Sequence, residues 1–434
     1  MSFWIAILDF VSKFEFQIGM ILEFSIENYK SFREQQTFSL IPDEGKSEAA
    51  NHLVSVGDKY TMLRSAVIYG ANASGKSNFI KALEALRSLV LLPADRRPRE
   101  QFAQYAPFQF NDRTQSAPTI FSLDFLLDGI RYTYSVSISA VAVLKESLYF
   151  YPQGREAKLF VRTGQTYEFG DYLKGQRSVV AELTNANQLF LSKGAGNNIA
   201  QLIDVYRFFS ESLLVIPFDD SKSEAFYLNL IAERILKAKK NDLFLRNFTA
   251  LLKSFDTGIL DFRVEELENP GPNSKYDILT EHAHFDNAGK ERGTATFSLE
   301  WESKGTQKLF VLGGLLLQAL MQGGVMLIDE FERSLHPLIC SYLIQLFHDP
   351  KINSQGAQLV LATHDTNLLS SNEFRRDQIW IVEKDKTGAS KLYSLSDVTG
   401  ILKGAPYEKW YLSGRLGGIP GIQRLDFELN YAQP

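Results

Sequence analysis

The chain has 434 residues, of which 45% are hydrophobic and 22% charged, with a formal net charge of −5. Its length suggests two to three domains at roughly 100–200 residues each, and its composition is that of a soluble globular protein able to bury a sizeable core. The net charge excludes a polycation pulled in bulk onto nucleic acid. The single cysteine, Cys340, excludes an intrachain disulfide framework and fits a reducing cytoplasm, and no apolar run approaches the ~20 residues of a membrane helix.

Residues 1–19 are apolar and aromatic but interrupted by Asp9, Lys13 and Glu15, and they lack the basic start and small-residue cleavage site of a signal peptide. A second methionine, Met20, precedes a strand-like run. The segment therefore reads as a dispensable leader or misassigned start, with an amphipathic partner-binding segment as the alternative. Residues 21–42 read as two short strands around a turn. Residues 63–69 form an apolar strand that runs into a glycine-rich loop. Residues 78–92 have helical periodicity, with Phe79, Ile80, Leu83, Leu86, Leu89 and Val90 on one face. Residues 118–170 alternate apolar and polar, with hairpin signals at Asp128-Gly129 and Thr163-Gly164, and predict an antiparallel sheet. Residues 185–256 read as mostly helical with an apolar break at 213–217. Residues 258–301 return to strands around a loop at 269–274. A helix over 307–321, a buried strand over 325–328, a helix over 335–347 and strands over 359–362 and 378–383 follow. Apolar strands alternating with helices indicate a parallel sheet covered on both faces. No heptad pattern is long enough for a coiled coil.

The strongest chemical signal is Gly70-Ala71-Asn72-Ala73-Ser74-Gly75-Lys76-Ser77, which fits the phosphate-binding pattern G-x-x-x-x-G-K-[ST] between its required strand and helix. Gly70 and Gly75 let backbone amides curl around phosphate oxygens, and the helix entered here points its positive end at the same anion. Lys76 is assigned to the β- and γ-phosphates of ATP, and Ser77 to Mg²⁺. A second signal is the apolar strand that ends in Asp329-Glu330, at the edge where open α/β sheets bind ligands. Asp329 is the second Mg²⁺ candidate, and Glu330 the group that orients the attacking water. His364, just past the strand at 359–362, is placed to reach the γ-phosphate. The fourth signal is Ser303-Lys304-Gly305-Thr306-Gln307 at a helix entrance. Such an entrance presents amides to a phosphate. Because the chain's own phosphate loop is already served by Lys76, that phosphate would come from the nucleotide of a second subunit. An ordinary helix cap is the alternative reading. His282-x-His284 lacks a third ligand nearby, which argues against a metal. The run Lys237-Ala238-Lys239-Lys240 reads as a solvated face, with a nucleic-acid or partner contact as the alternative.

Together these motifs resemble the ABC ATPase superfamily in its SMC/RecF class, over residues 20–90 and 295–400. Residues 70–77, with the following Asn78, are similar to Walker A. Ser303, Gly305 and Thr306 lie in a segment that resembles the signature motif, although a single glycine stands where two are usual. Asp329-Glu330 resembles Walker B, Ser334-Leu335-His336-Pro337 the D-loop, and His364 the switch histidine. The resemblance implies an α/β P-loop ABC-ATPase head: a mixed or parallel sheet flanked by helices, an antiparallel β subdomain, an inserted helical subdomain and no long coiled coil. The implied organisation is a leader at 1–19, the N-terminal half of the ATPase core with Walker A and the β subdomain at 20–180, and a helical insertion at 181–257. The C-terminal half of the core follows at 258–400, and a partner or packing segment at 401–434. A glutamine of the Q-loop type is also implied, with Gln104 and Gln109 as open candidates. More narrowly, Asn187-Gln188-Leu189-Phe190-Leu191-Ser192, the Ser-x-Gly-Thr signature and the ending Lys409-Trp410-Tyr411-Leu412-Ser413-Gly414-Arg415 resemble stand-alone anti-phage ATPases of the RloA and AbiLi type, with relatives in Septu, PARIS and retron systems. That resemblance implies an Mg²⁺-dependent ATPase which dimerises with a second copy of itself and works with a separately encoded nuclease or toxin. DNA or RNA is a possible further partner. The alternatives are a RecF-like DNA-repair ATPase and a slow ATP-dependent switch.

Overall fold

A strand that is apolar on both faces needs cover on both sides, and this requirement arranges the molecule. The computed structural model describes residues 19–43, 50–93, 96–217, 221–239, 242–268, 275–370, 373–401 and 404–420. The leader up to residue 18, the loop at 269–274 and Lys240 of the basic run lie outside the described residues. Strands β1 (Gly19–Glu27) and β2 (Gln36–Ser39) come first, then a hairpin, β3 (Leu53–Val56) and β4 (Tyr60–Leu63). Strand β5 (Ser65–Tyr69) leads into helix α1 (Lys76–Val90). Strands β6 (Thr119–Leu127), β7 (Ile130–Ile138), β8 (Val143–Phe150), β9 (Ala157–Thr163) and β10 (Thr166–Phe169) follow. Helices α2 (Arg177–Glu182), α3 (Phe190–Gly196) and α4 (Ala200–Arg207) lead to β11 (Leu213–Ile216). Next are α5 (Ser221–Leu236), α6 (Leu243–Ser254), β12 (Ile259–Glu266), β13 (Tyr276–Phe285) and β14 (Glu291–Ser298). The last part comprises α7 (Lys304–Gln322), β15 (Val325–Ile328), α8 (Pro337–His348), β16 (Gln358–Ala362), α9 (Asn367–Ser370), β17 (Ile379–Lys384), β18 (Ser390–Ser394) and α10 (Tyr407–Leu412).

The central sheet has the order β11-β15-β16-β5-β17-β18. All neighbours are parallel except β18, which turns back on β17. Alternate residues of each strand feed two separate cores. Ala66 and Ile68 of β5, Val325 and Leu327 of β15, and Trp380 and Val382 of β17 face one core. Val67 and Tyr69, Met326 and Ile328, and Ile379 and Ile381 face the other. The first core holds α1 and the antiparallel sheet β10-β9-β8-β7-β6-β1-β2. Phe79 of α1 packs there edge-on against Phe24 and tilted against Phe38, with ring centroids 5.8 and 5.1 Å apart. The second core holds α5, α6, α7 and α8. A three-stranded sheet, β12-β13-β14, borders it. The mixed sheet and antiparallel subdomain expected from the sequence are both present, and the described residues hold no long coiled coil.

One element differs from its sequence reading. The apolar break at 213–217, inside a stretch read as helical, is β11, an edge strand of the central sheet paired in parallel with Val325–Ile328. It is too short to announce itself by periodicity. Its outward carbonyls are covered by side chains: Arg87 Nε donates to Leu213 O at 2.8 Å and the Tyr227 hydroxyl to Val215 O at 3.0 Å. Covering the edge in this way blocks further strand pairing.

At the opposite end of β5 from the glycine-rich loop, the His348 ring lies 2.6 Å from the Ser65 hydroxyl and 4.3 Å, centroid to centroid, from the His52 ring. Burial, with help from His52 and Arg64, pushes His348 down to about 3 from an ordinary 6.5. Between those values the unfolded chain binds a proton that the folded chain does not, so stability is full above pH 6.5 and falls as pH drops toward 3. Urea midpoints measured across pH 7 to 4 should show this fall. His348→Gln should remove one proton's share of it, at most about 1.4 kcal/mol per pH unit.

Candidate nucleotide site

The loop between β5 and α1 has a backbone that few residue types allow. Gly75 has φ 125°, and a Cβ there would lie 2.4 Å from Ser390 Oγ and 2.9 Å from Ser31 Oγ. At Gly70 a Cβ would lie 2.4 Å from Val382 O. Both glycines are therefore required by close approach. The tip, Asn72-Ala73, is exposed, while Ser74, Gly75 and Lys76 are buried. Ser74 Oγ is buried without a hydrogen-bond partner. The Lys76 ammonium donates to Gly70 O at 2.7 Å and Ala71 O at 3.2 Å, folding back on the loop itself. Burial pushes this lysine down to about 8, against the pull of Asp329, Glu332 and Glu330. An orphaned hydroxyl, a buried ammonium and a cradle closed to any Cβ fit a phosphate chain.

Two sites far apart in the chain meet here. The Asp329 carboxylate, at the end of β15, lies near the Ser77 side chain and the Lys76 ammonium, and burial raises it above the usual carboxylate range. A hydroxyl and a carboxylate together are a hard oxygen pair that suits Mg²⁺. Glu330 has φ 48°, a left-handed conformation unusual for a residue with a side chain. Its half-exposed carboxylate lies 3.4 Å from Arg333 Nη1. Beyond β16, His364 reaches the surface with its ring only partly desolvated, and that desolvation together with Lys76 holds its imidazole below the ordinary value.

Ser303 caps α7. Its Oγ accepts from Thr306 N at 3.1 Å and pairs with Thr306 Oγ1 at 2.9 Å. A Cβ on Gly305 would lie 2.7 Å from Ser334 O, so the signature segment packs directly on the D-loop position. Asn78 sits in the first turn of α1 and donates to Ser31 Oγ at 2.8 Å, which makes it a brace for the loop. Of the two glutamines, Gln104 donates to Ser88, near the far end of α1 from the loop. The stretch that holds Gln109 lies beside the loop after β1: Ala106 O accepts from Lys30 N at 2.6 Å. Gln109 is thus on the side of Ser31 and Gly75. His282 forms a 2.6 Å pair with Glu302 rather than a site with His284.

Sequence reasoning missed several residues. Glu332 accepts from Thr363 Oγ1 at 2.7 Å and from His364 N at 2.8 Å, holding the loop after β16 against the turn after β15. The only hint was its spacing in Asp329-Glu330-Phe331-Glu332. Ser31 and Ser390 frame Gly75, and Lys308 donates to Glu330 O at 2.9 Å. The C-terminal segment packs onto the site. Tyr411 lies at a tilt on Tyr69 with centroids 5.6 Å apart, near the Gly70 backbone. Its own hydroxyl donates to Gly418 O at 3.2 Å. Arg415 lies over Trp410 at 3.8 Å.

A phosphate loop and a Walker B-type strand on either side of β16, with a capped helix packed on the turn that follows β15, define a P-loop ATPase-type domain. The family model described as "AAA domain, putative AbiEii toxin, Type IV TA system" matches residues 65–370, and the chain belongs to that family. No curated protein matches the chain. Among solved structures, the chain is similar to an SMC head bound to the C-terminal winged-helix domain of ScpA, at 16% identity and TM-score 0.41, covering 86% of this chain and 97% of that one. It is also similar to the SMC head domain from Thermotoga maritima, at 14% identity and TM-score 0.39, covering 86% and 98%. A third, an SMC head from Pyrococcus furiosus with an extended coiled coil, bound to the C-terminal domain of ScpA, gives 15% identity and TM-score 0.40, covering 92% and 100%. Among the described residues, no helix is long and apolar enough to cross a membrane.

Gly75→Ala should cost about 1–3 kcal/mol even without nucleotide, because the left-handed backbone and the two serine hydroxyls oppose the new methyl group. Gly57→Ala, also at positive φ but in open space, should cost less. Paired thermal unfolding of the two variants checks the difference.

Proposed function

We propose that the protein binds and hydrolyses Mg²⁺-ATP, closes as a dimer around it, and uses that cycle to control a separately encoded nuclease or toxin in anti-phage defence. The observation that carries the ATP reading is the convergence of Lys76 and Ser77 of the phosphate loop on Asp329, at the ends of two strands that flank β16 in register. Lys76 and the amides of residues 70–77 hold the β- and γ-phosphates. Ser77 and Asp329 would hold Mg²⁺, which neutralises developing phosphate charge when bound. Glu330 orients the attacking water, and His364 stands at the γ-phosphate as a neutral imidazole that donates a hydrogen bond. Ser303, Gly305 and Thr306 receive the nucleotide of the second copy. The γ-phosphate gains those contacts only when the dimer closes, so ATP favours the closed state by that difference. The toxin–antitoxin setting in the family's description supports a separate effector, and the described chain is consistent with a cytoplasmic protein.

Lys76→Ala should abolish ATP binding in a fluorescent-nucleotide titration. Glu330→Gln should bind ATP but not turn it over, and should accumulate as a dimer by light scattering. A monomer at saturating ATP would sink the dimer model. In cells that carry the neighbouring genes, Lys76→Ala should remove protection in a phage plating assay. DNA-stimulated hydrolysis with no effector gene would instead favour the DNA-repair reading.

A further inference from the structure

A second cleft opens beside the edge strand of the central sheet. It is bordered by Leu213 and Leu214, the first residues of β11, and by Gly324 and Val325 at the start of β15. The carboxylate of the nucleotide site, Asp329, lies at the other end of β15, about 13 Å away at the rise of a strand. The cleft has a volume of about 90 Å³, several times what one water needs. Its apolar wall includes Phe226 and Leu230 of α5 and Leu315 of α7.

The polar wall is acidic and incompletely bonded. Glu84 comes from α1, and Glu211 from Phe208–Ser212, a π-helix between α4 and β11. Single π turns recur at functional sites, where they re-aim a side chain. Glu84 Oε2 and Glu211 Oε1 are buried with no hydrogen-bond partner among the described residues. Burial raises both carboxyls above the usual range. The guanidinium in the cleft, that of Arg87, is already engaged. Its Nε donates to Phe209 O at 3.0 Å and Leu213 O at 2.8 Å, and its Nη1 lies 3.6 Å from Glu84 Oε1. A buried acceptor without a donor costs stability, most of all when it is charged. Gln318 and Gln322 bring the carboxyl end of α7 to the same cleft, and the negative end of a helix dipole favours cations. An anion would meet two carboxylates and that helix end. A cation on an apolar stem would meet donors' partners for its head and packing for its stem, and the Phe226 ring accepts a cation on its face.

We propose that this cleft is a binding site for a small alkyl cation, a primary ammonium or guanidinium on an aliphatic stem, with its head held by Glu84 and Glu211 and its stem against Leu230 and Leu315. A free amine and the lysine or arginine side chain of another protein offer this same head group. The site shares no residue with the phosphate loop or with Asp329 and Glu330, so it stands apart from the ATPase reading.

Isothermal titration calorimetry and thermal unfolding of the full chain with agmatine and with putrescine, at constant ionic strength, test this. Both signals should appear in the wild type and in Lys76→Ala, because a ligand bound only by the folded chain raises its midpoint. Glu84→Gln and Glu211→Gln should each weaken binding about 10-fold or more. Glu182→Gln, at an exposed position of α2, should leave it unchanged. Inorganic phosphate should give neither signal. If a short arginine-bearing peptide binds and the two free amines do not, the head group belongs to a protein side chain and the chemistry of the cleft stands. No heat and no shift from any of the three cations would overturn the proposal. So would an equal loss in Glu182→Gln, which marks general attraction to an acidic protein, or a loss in Lys76→Ala, which places the cation at the nucleotide. A loss in both glutamine variants that is matched by a lower midpoint without ligand would also overturn it, since the two acids would then be structural partners of the neighbouring arginines.

Discussion

The structure depends on one constraint: three parallel strands must end level with one another. Strands β5, β16 and β15 are neighbours in parallel register, Leu359 with Ser65 on one side and Val325 with Gln358 on the other. Their carboxyl ends therefore present Gly70, Thr363 and Asp329 along one sheet edge. The proximity of Ser77 to Asp329 is a product of that register. A slip of one residue would turn each strand's core faces over and take the carboxylate from the hydroxyl. The two cores oppose such a slip, because alternate residues of every central strand are committed to opposite sides.

Strain and buried charge both occur around the phosphate loop and the turn after β15. Ala73, Glu330 and Ser334 adopt positive φ without being glycine. Lys76 and Lys308 are buried ammonium groups, both pushed down to about 8. Each such feature costs stability and persists only because the surroundings fix it. The surroundings here are carbonyl oxygens: Gly70 and Ala71 for Lys76, and Glu330 for Lys308. A phosphate would offer Lys76 a stronger partner than two carbonyls, since charge-assisted hydrogen bonds are roughly twice as strong as neutral ones.

The parts of the fold legible in the sequence are those with a period or a fixed spacing. Helix α1, the hairpins of β6–β10 and the strands β15 and β16 follow from apolar patterning and turn residues, and the phosphate loop from its glycines. What remained hidden depended on partners distant in sequence. Strand β11 is short and lies among helices. Glu332 is one carboxylate among many until Thr363 and His364 reach it. Lys308 looks like a solvated helix lysine until α7 is laid against the turn. The motif at 187–192, which stood out by resemblance, has a structural basis. Phe190 N and Leu191 N donate to the buried Glu146 at 2.7 and 2.9 Å, Asn187 donates to Arg97 O at 2.8 Å, and Gln188 O accepts from Arg162. It locks α3 to the antiparallel sheet, and nothing in it needs an effector to explain it.

Both ends of the described chain close on the phosphate loop. From the amino-terminal side, Ser31 lies against Gly75 and takes the amide of Asn78. From the carboxyl-terminal side, the Ser390 hydroxyl donates to Ser74 O, Tyr411 lies near Gly70, and Glu408 accepts from Thr366, two residues past His364, at 3.1 Å. A phosphate loop braced this way takes its shape only when strands from both halves are in place. The edge strand of that sheet, β11, comes from the chain between β10 and β12, so the sheet on which the two halves register is itself completed by a segment that lies between them in sequence.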